Sequence, residues 1–201
     1  KQAENNGRNA WLCARTGLYY GCHNHLRHAL VRLLRRAGAY AEYEQAVPGS
    51  SERPADILVT APWLPCKTAI DVSVVADPHP RSPMAENSAV ARQTALKIST
   101  YSTVCRSAGW DFTPFVCDVQ GGLGGKANQF IKTLASAISA HTGERYPLAV
   151  SYCRCVIANA IGKGVLCQLQ HCLYNTAQLV VNAPDIQREI APVVVVVVVH
   201  A

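Results

Sequence analysis

Arg53-Pro54-Ala55-Asp56-Ile57-Leu58-Val59-Thr60, followed by Thr68-Ala69-Ile70-Asp71-Val72-Ser73-Val74-Val75, is the stretch whose reading decides the fold. Ile57–Thr60 and Thr68–Val75 are short β-branched runs, the signature of buried strands, and Pro62 and Pro65 between them suit a tight, rigid connection. Pro54 fixes the backbone just ahead of the first acid. Antiparallel pairing of the two runs would bring Asp56 and Asp71 to one edge of a sheet. Two carboxylates so placed point to phosphodiester hydrolysis, because that reaction needs a divalent cation to generate hydroxide and to neutralise the pentavalent transition state, and hard cations prefer carboxylate oxygens. Asp56 and Asp71 are therefore the candidate metal ligands and catalytic pair.

A lysine beside such a metal would orient the attacking water and balance the charge of the scissile phosphate. The position two residues after Asp71 is Ser73, so the lysine must come from elsewhere. Lys97 is the candidate. It lies on a predicted helix with Tyr101 one turn later at i+4, so both can face back toward the strand edge, and Gln93 one turn earlier shares that face. Glu44 or Glu42, on the preceding predicted strand, would add a carboxylate. Period two puts both on one face, and proximity to the turn favours Glu44.

Working outward, Leu26, Ala29, Leu30, Leu33, Leu34 and Ala37 recur at three- and four-residue steps, with Arg27, Arg32, Arg35 and Arg36 on the other face. This predicts an amphipathic helix over Cys22–Arg36 ending at Gly38. Ala39–Val47 alternates as a half-exposed strand, and Pro48-Gly49-Ser50-Ser51 turns the chain into the hairpin. Asp77–Pro83 excludes regular structure by its prolines, and a long helix is predicted over Ala85–Cys105. Phe112–Val119 reads as a strand and Ala127–Ala140 as a helix. Between them, Gly121–Gly125 lacks the Gly-Lys-Ser/Thr ending of a phosphate loop and reads as a flexible turn. Tyr146–Thr176 reads as a helical stretch that Gly162 and Gly164 would break in two. The expected order is α-β-β-β-α-β-α-α, an α/β fold.

The chain has 201 residues, 49% of them hydrophobic and 16% charged, which suits one domain with its own core and excludes wholesale disorder. The net charge of +6 rests mostly on arginine, whose planar fork matches phosphate, and this points to a polyanionic partner. Arg27, Arg32, Arg35, Arg36, Arg53 and Tyr101 are the candidate nucleic-acid contacts. The nine cysteines are odd in number and scattered through apolar stretches, so reduced intracellular thiols are expected. Cys13 and Cys22 with His23, His25 and His28 lack a tight pair of cysteines and read as buried thiols on a histidine-bearing helix rather than a zinc site. No apolar run reaches about 18 residues, so no membrane partner is expected. Val193–Val199 is seven consecutive valines, a composition natural sequences seldom show, and marks a tail of doubtful sequence.

Taken in order, Cys22-His23-Asn24-His25-Leu26-Arg27, Arg53-Pro54-Ala55-Asp56-Ile57-Leu58-Val59, Ile70-Asp71-Val72-Ser73-Val74, Lys97-Ile98-Ser99-Thr100-Tyr101 and Gly109-Trp110-Asp111-Phe112-Thr113-Pro114 resemble the restriction-like endonuclease domain of site-specific non-LTR retrotransposons, in the PD-(D/E)xK superfamily. The resemblance runs on through the glycine-rich turn to the helix at Asn128–Leu134. It implies a restriction-endonuclease-like core (α-β-β-β-α-β) with extra C-terminal helices. It also implies Mg2+ held by Asp56 and Asp71, a lysine displaced to Lys97 on the next helix before a tyrosine, and DNA as substrate. The family domain normally follows a reverse transcriptase and a cysteine/histidine knuckle, neither of which this chain shows. The implied division is an N-terminal extension over 1–21, the nuclease-like domain over 22–140, a C-terminal helical extension over 141–192 and the tail over 193–201. The alternative expectation is a domesticated, non-catalytic fold that binds rRNA among many proteins in a ribonucleoprotein such as a mitochondrial ribosome. Either reading places the chain inside the cell, in nucleus or mitochondrion.

Overall fold

The computed structural model describes residues 19–48, 53–76, 85, 86 and 88–181. The expectations for residues 1–18, for most of the proline-rich connection and for the valine tail lie outside them. The elements run α1 (Tyr19–Arg36), β1 (Tyr40–Gln45), β2 (Ala55–Thr60), β3 (Thr68–Val75), α2 (Ala89–Ser107), β4 (Asp111–Asp118), α3 (Gly125–Thr142) and α4 (Tyr146–Val181). This is the order that periodicity predicts.

The four strands form one mixed sheet in the order β1-β2-β3-β4. β1 pairs antiparallel with β2 and β2 with β3, while β3 and β4 run parallel with α2 as the crossover between them. Alternation along the inner strands sends Ile57, Val59, Ile70, Val72, Val74, Phe115 and Cys117 to one side, against Leu26, Leu30 and Leu34 of α1 and Phe130, Ile131, Leu134 and Ile138 of α3. Under α2, on the other side, a smaller cluster joins Leu58, Ala69, Cys105, Trp110 and Phe112. α/β architecture with helices on both faces follows directly from strands that are apolar on both faces.

Local chemistry sets the element ends. Gly38, at φ 72°, closes α1 in a Schellman arrangement, with Gly38 N–H donating to Arg35 O and Ala39 N–H to Leu34 O. The Ser88 hydroxyl caps α2 by accepting from Ala91 N–H at 3.1 Å. The glycine-rich turn before α3 is ordered rather than loose, because the Asp118 carboxylate accepts from both Gln120 N–H and Gly122 N–H. A side chain at Gly124 would meet Val90 Cγ1 at 2.8 Å, so α2 and the start of α3 touch there through bare backbone.

One expectation about α4 is corrected. Gly162 and Gly164 do not break it: the helix is continuous over Tyr146–Val181. Gly164 serves packing instead, since a Cβ there would lie 2.5 Å from Cys22 Cα, and only hydrogen lets α4 lie against α1 this closely. Tyr146–Cys167 is moreover long and apolar enough, with hydropathy 1.2, to cross a membrane by length and composition, although no uninterrupted apolar run reaches that length. Arg154 and Lys163 interrupt the run, and its inner face, with Ala149, Cys153, Ile157 and Ile161, belongs to the main core.

The two glycines separate these effects. Gly164→Ala is expected to destabilise the protein by about 1–3 kcal/mol through overpacking against Cys22. Gly162→Ala, with open space around it, should stabilise by roughly 0.5–1 kcal/mol through helix propensity. Urea unfolding of both variants checks the contrast, and equal effects would refute it.

Candidate active site

The β2/β3 ladder runs through Val59↔Thr68, Leu58↔Ala69 and Ile57↔Ile70, and the next opposed positions are Asp56 and Asp71. At that step the backbone ladder gives way to side-chain bonding: Asp56 Oδ2 accepts from Val72 N–H at 2.7 Å. The two aspartates share the parity of Leu58 and Ala69, so they face α2. Lys97 on that helix reaches down and places Nζ 2.5 Å from Asp71 Oδ2. From the opposite side His23 of α1 brings Nε2 to 3.4 Å from Asp56 Oδ1. Sheet end, crossover helix and first helix thus converge on one pair of acids.

Electrostatics divides the pair. Burial pushes the Asp71 carboxyl up to about 6; the Lys97 ammonium opposes that rise, and the neighbouring Asp56 carboxylate adds to it. Asp56 is also buried, which works against its ionisation, but the contact with His23, the Val72 N–H and the shared contact with Asp71 together hold it below the ordinary carboxylate range. Asp56 is the committed anion of the pair and Asp71 the member that titrates. A folded-state value raised above the unfolded one favours folding at low pH, so this part of the stability is present below about pH 4 and is lost as pH rises through 6.

Two carboxylates and one ammonium leave a net negative charge in a half-buried notch, a donor set suited to a hard divalent cation. Among the described residues no group of three or more His, Cys, Asp or Glu side chains forms a ready-made cage. A cation held by Asp56 and Asp71 would therefore keep open positions for water and for substrate oxygens.

The other sequence candidates fall in different places. Glu44 does not join the acids. Its side chain is exposed and its carboxylate Oε1 lies 2.5 Å from Arg27 Nη1. Glu44 also has φ 53°, and this left-handed backbone interrupts the alternation that put Glu42 and Glu44 on one face. Arg27 is half-buried, with its guanidinium 5.0 Å from the Tyr43 ring centroid. Arg36 bonds Glu144 and lies over Tyr152. Arg32, Arg35 and Arg53 have exposed side chains. Tyr101 turns to the sheet and meets Phe112 of β4 with ring centroids 5.9 Å apart.

The resemblance implies that the helix beginning at His23-Asn24 packs beside the site, and the structure brings His23 itself to Asp56. Its signal was present in the spacing: His23 and Arg27 stand at i and i+4, so the α1 stripe that presents Arg27 to β1 presents His23 to the adjoining strand.

No protein-family model matches the chain, and no curated protein matches it.

Removing the cation side of the site gives a pH-dependent outcome. Lys97→Met leaves two carboxylates facing each other and drives Asp71 above 6. The variant should be close to wild type at pH 5, where Asp71 is protonated, and less stable by about 1–3 kcal/mol at pH 8. Denaturant titrations at the two pH values measure this, and a deficit independent of pH would contradict the assignment.

Proposed function

We propose that this chain is a metal-dependent endonuclease with a restriction-endonuclease-like core of the retrotransposon type, cutting phosphodiester bonds of DNA. The observation that carries the reading is the meeting of Asp56, Asp71 and Lys97 at one point, from β2, β3 and the crossover helix. The lysine approaches from 26 residues down the chain, so the triad is built by the fold and not by local sequence.

In this reading Asp56 and Asp71 hold Mg2+, which when bound supplies the Lewis acidity and the activated water of hydrolysis. Asp56, kept ionised by its neighbours, provides the permanent charge. Lys97 compensates the second carboxylate and offers a cation to the scissile phosphate and the attacking water. Arg32, Arg35 and Arg53 present exposed guanidinium groups for flanking phosphates, where bidentate pairing is available.

A second reading, a non-catalytic fold that binds RNA within a ribonucleoprotein, has its own support. Asp56 is engaged by Val72 N–H and Asp71 by Lys97, so both acids have structural duties that would preserve them without chemistry.

Conversion of supercoiled DNA to nicked circles separates the two. The nuclease should nick with Mg2+ and stop with EDTA, and Asp71→Asn should slow it by about 10²–10³-fold. Nicking that survives Asp71→Asn unchanged would sink the site assignment. An inert protein that binds structured RNA would favour the second reading.

A further inference from the structure

Outside the acidic notch, a close approach of α1 and α4 sets two thiols and an imidazole near one another. Cys22 lies on α1 and is buried, with relative exposure of 2%. Gly164 of α4 lies directly against it: a Cβ at Gly164 would fall 2.5 Å from Cys22 Cα and 2.6 Å from Cys22 Sγ. One turn beyond Gly164 on the same helix is Cys167, whose side chain is exposed. Its Sγ is 3.9 Å from Nε2 of His25, which stands three residues after Cys22 on α1. The antiparallel course of the two helices is fixed at their other ends, where Arg36 lies over Tyr152. Burial raises the Cys22 thiol, and the nearby Cys167 raises it further.

We propose that Cys22, His25 and Cys167 form a dithiol site that a small disulfide oxidant, such as oxidised glutathione, converts to a Cys22–Cys167 disulfide joining α1 to α4. The exposed partner reacts first. His25 accepts the proton of Cys167; the thiolate attacks one sulfur of the oxidant, and one thiolate of the oxidant leaves, taking that proton from His25. Cys22 then attacks Cys167 Sγ, the second thiolate leaves, and the Cys22 proton passes to it. The balance is two protein thiols and one small disulfide in, and one protein disulfide and two small thiols out.

Disulfides demand Cα atoms within about 4.4–6.8 Å, and Gly164, three residues before Cys167, is what brings α4 up against Cys22 with only hydrogen between them. The division of labour also follows from burial: the accessible thiol meets the oxidant, and the shielded one resolves the mixed disulfide without reacting on its own. His23, beside Asp56, is the residue after Cys22. The staple would therefore fix the turn of α1 that reaches the acidic notch.

The test uses the full reduced chain and oxidised glutathione, with no substrate, so its result is independent of the nuclease reading. Peptide mapping by mass spectrometry should find the Cys22–Cys167 cross-link as the main product. Cys167→Ser, at an exposed position, should fold with an unchanged melting temperature and leave Cys22 unoxidised. His25→Gln should slow alkylation of Cys167 by iodoacetamide at pH 7 by about tenfold, because the thiol loses the proton acceptor beside it. Glutathione that stays on Cys167 without passing to Cys22 would overturn the proposal, as would a Cys22 that remains reduced while the exposed Cys66 and Cys155 react. Zinc bound stoichiometrically by wild type and lost in Cys167→Ser would overturn it too, by making these side chains ligands.

Discussion

Two carboxylates opposed at the end of a β-ladder are a liability that the rest of this structure is arranged to contain. Asp56 and Asp71 face each other at the first step where β2 and β3 stop exchanging backbone hydrogen bonds. Neither could be buried ionised without compensation, because desolvating a charge costs several kcal/mol unless donors or counter-charges replace the water. The compensation comes from three directions. Val72 N–H bonds Asp56, His23 approaches Asp56 from α1, and Lys97 meets Asp71 from α2. Each of those partners is held in turn by a packed element, so the core beneath the sheet and the small cluster under α2 both serve to hold charge in place.

The division between Asp56 and Asp71 follows from this arrangement. Donors concentrate on Asp56, which also has the ladder-end N–H, while Asp71 has a single cation and a like-charged neighbour. One acid is fixed as an anion and the other stays responsive to pH. Such asymmetry between neighbouring acids is a mark of functional sites, though ion-pair networks with purely structural roles create it as well.

Much of this was legible in the sequence, and the reasons are particular. The continuous β-branched run of Thr68–Val75 reflects burial on both faces and period 3.6 in α1 reflects burial on one, so the element order and the hairpin could be read directly. Asp56 and Asp71 could be paired because hairpin register is local. Lys97 was within reach because its helix follows β3 and returns over it. What stayed hidden depends on packing between distant segments. Gly164 reads as a helix breaker until α1 is seen against it, and Glu44 reads as a strand acid until its left-handed backbone and its bond to Arg27 are known. The spacing of His23 and Arg27 put them on one stripe of α1, but that this stripe meets Asp56 depends on how α1 packs at the sheet end. The α/β class is established by the structure, whereas the proposed kinship with retrotransposon nucleases rests on the ordered blocks of residues.

The parallel pairing of β3 with β4 also has a temporal side. A hairpin such as β2/β3 can close early, since its ends are near in the chain, but a parallel neighbour must wait for the intervening helix to form and fold back. Lys97 rides on that intervening helix. During synthesis or refolding the two aspartates are therefore brought together before their cation arrives, and the hairpin must tolerate its own charge repulsion, by protonation or solvation, until the crossover is complete. Chain order thus separates the pairing of the two acids from the arrival of the cation that compensates them.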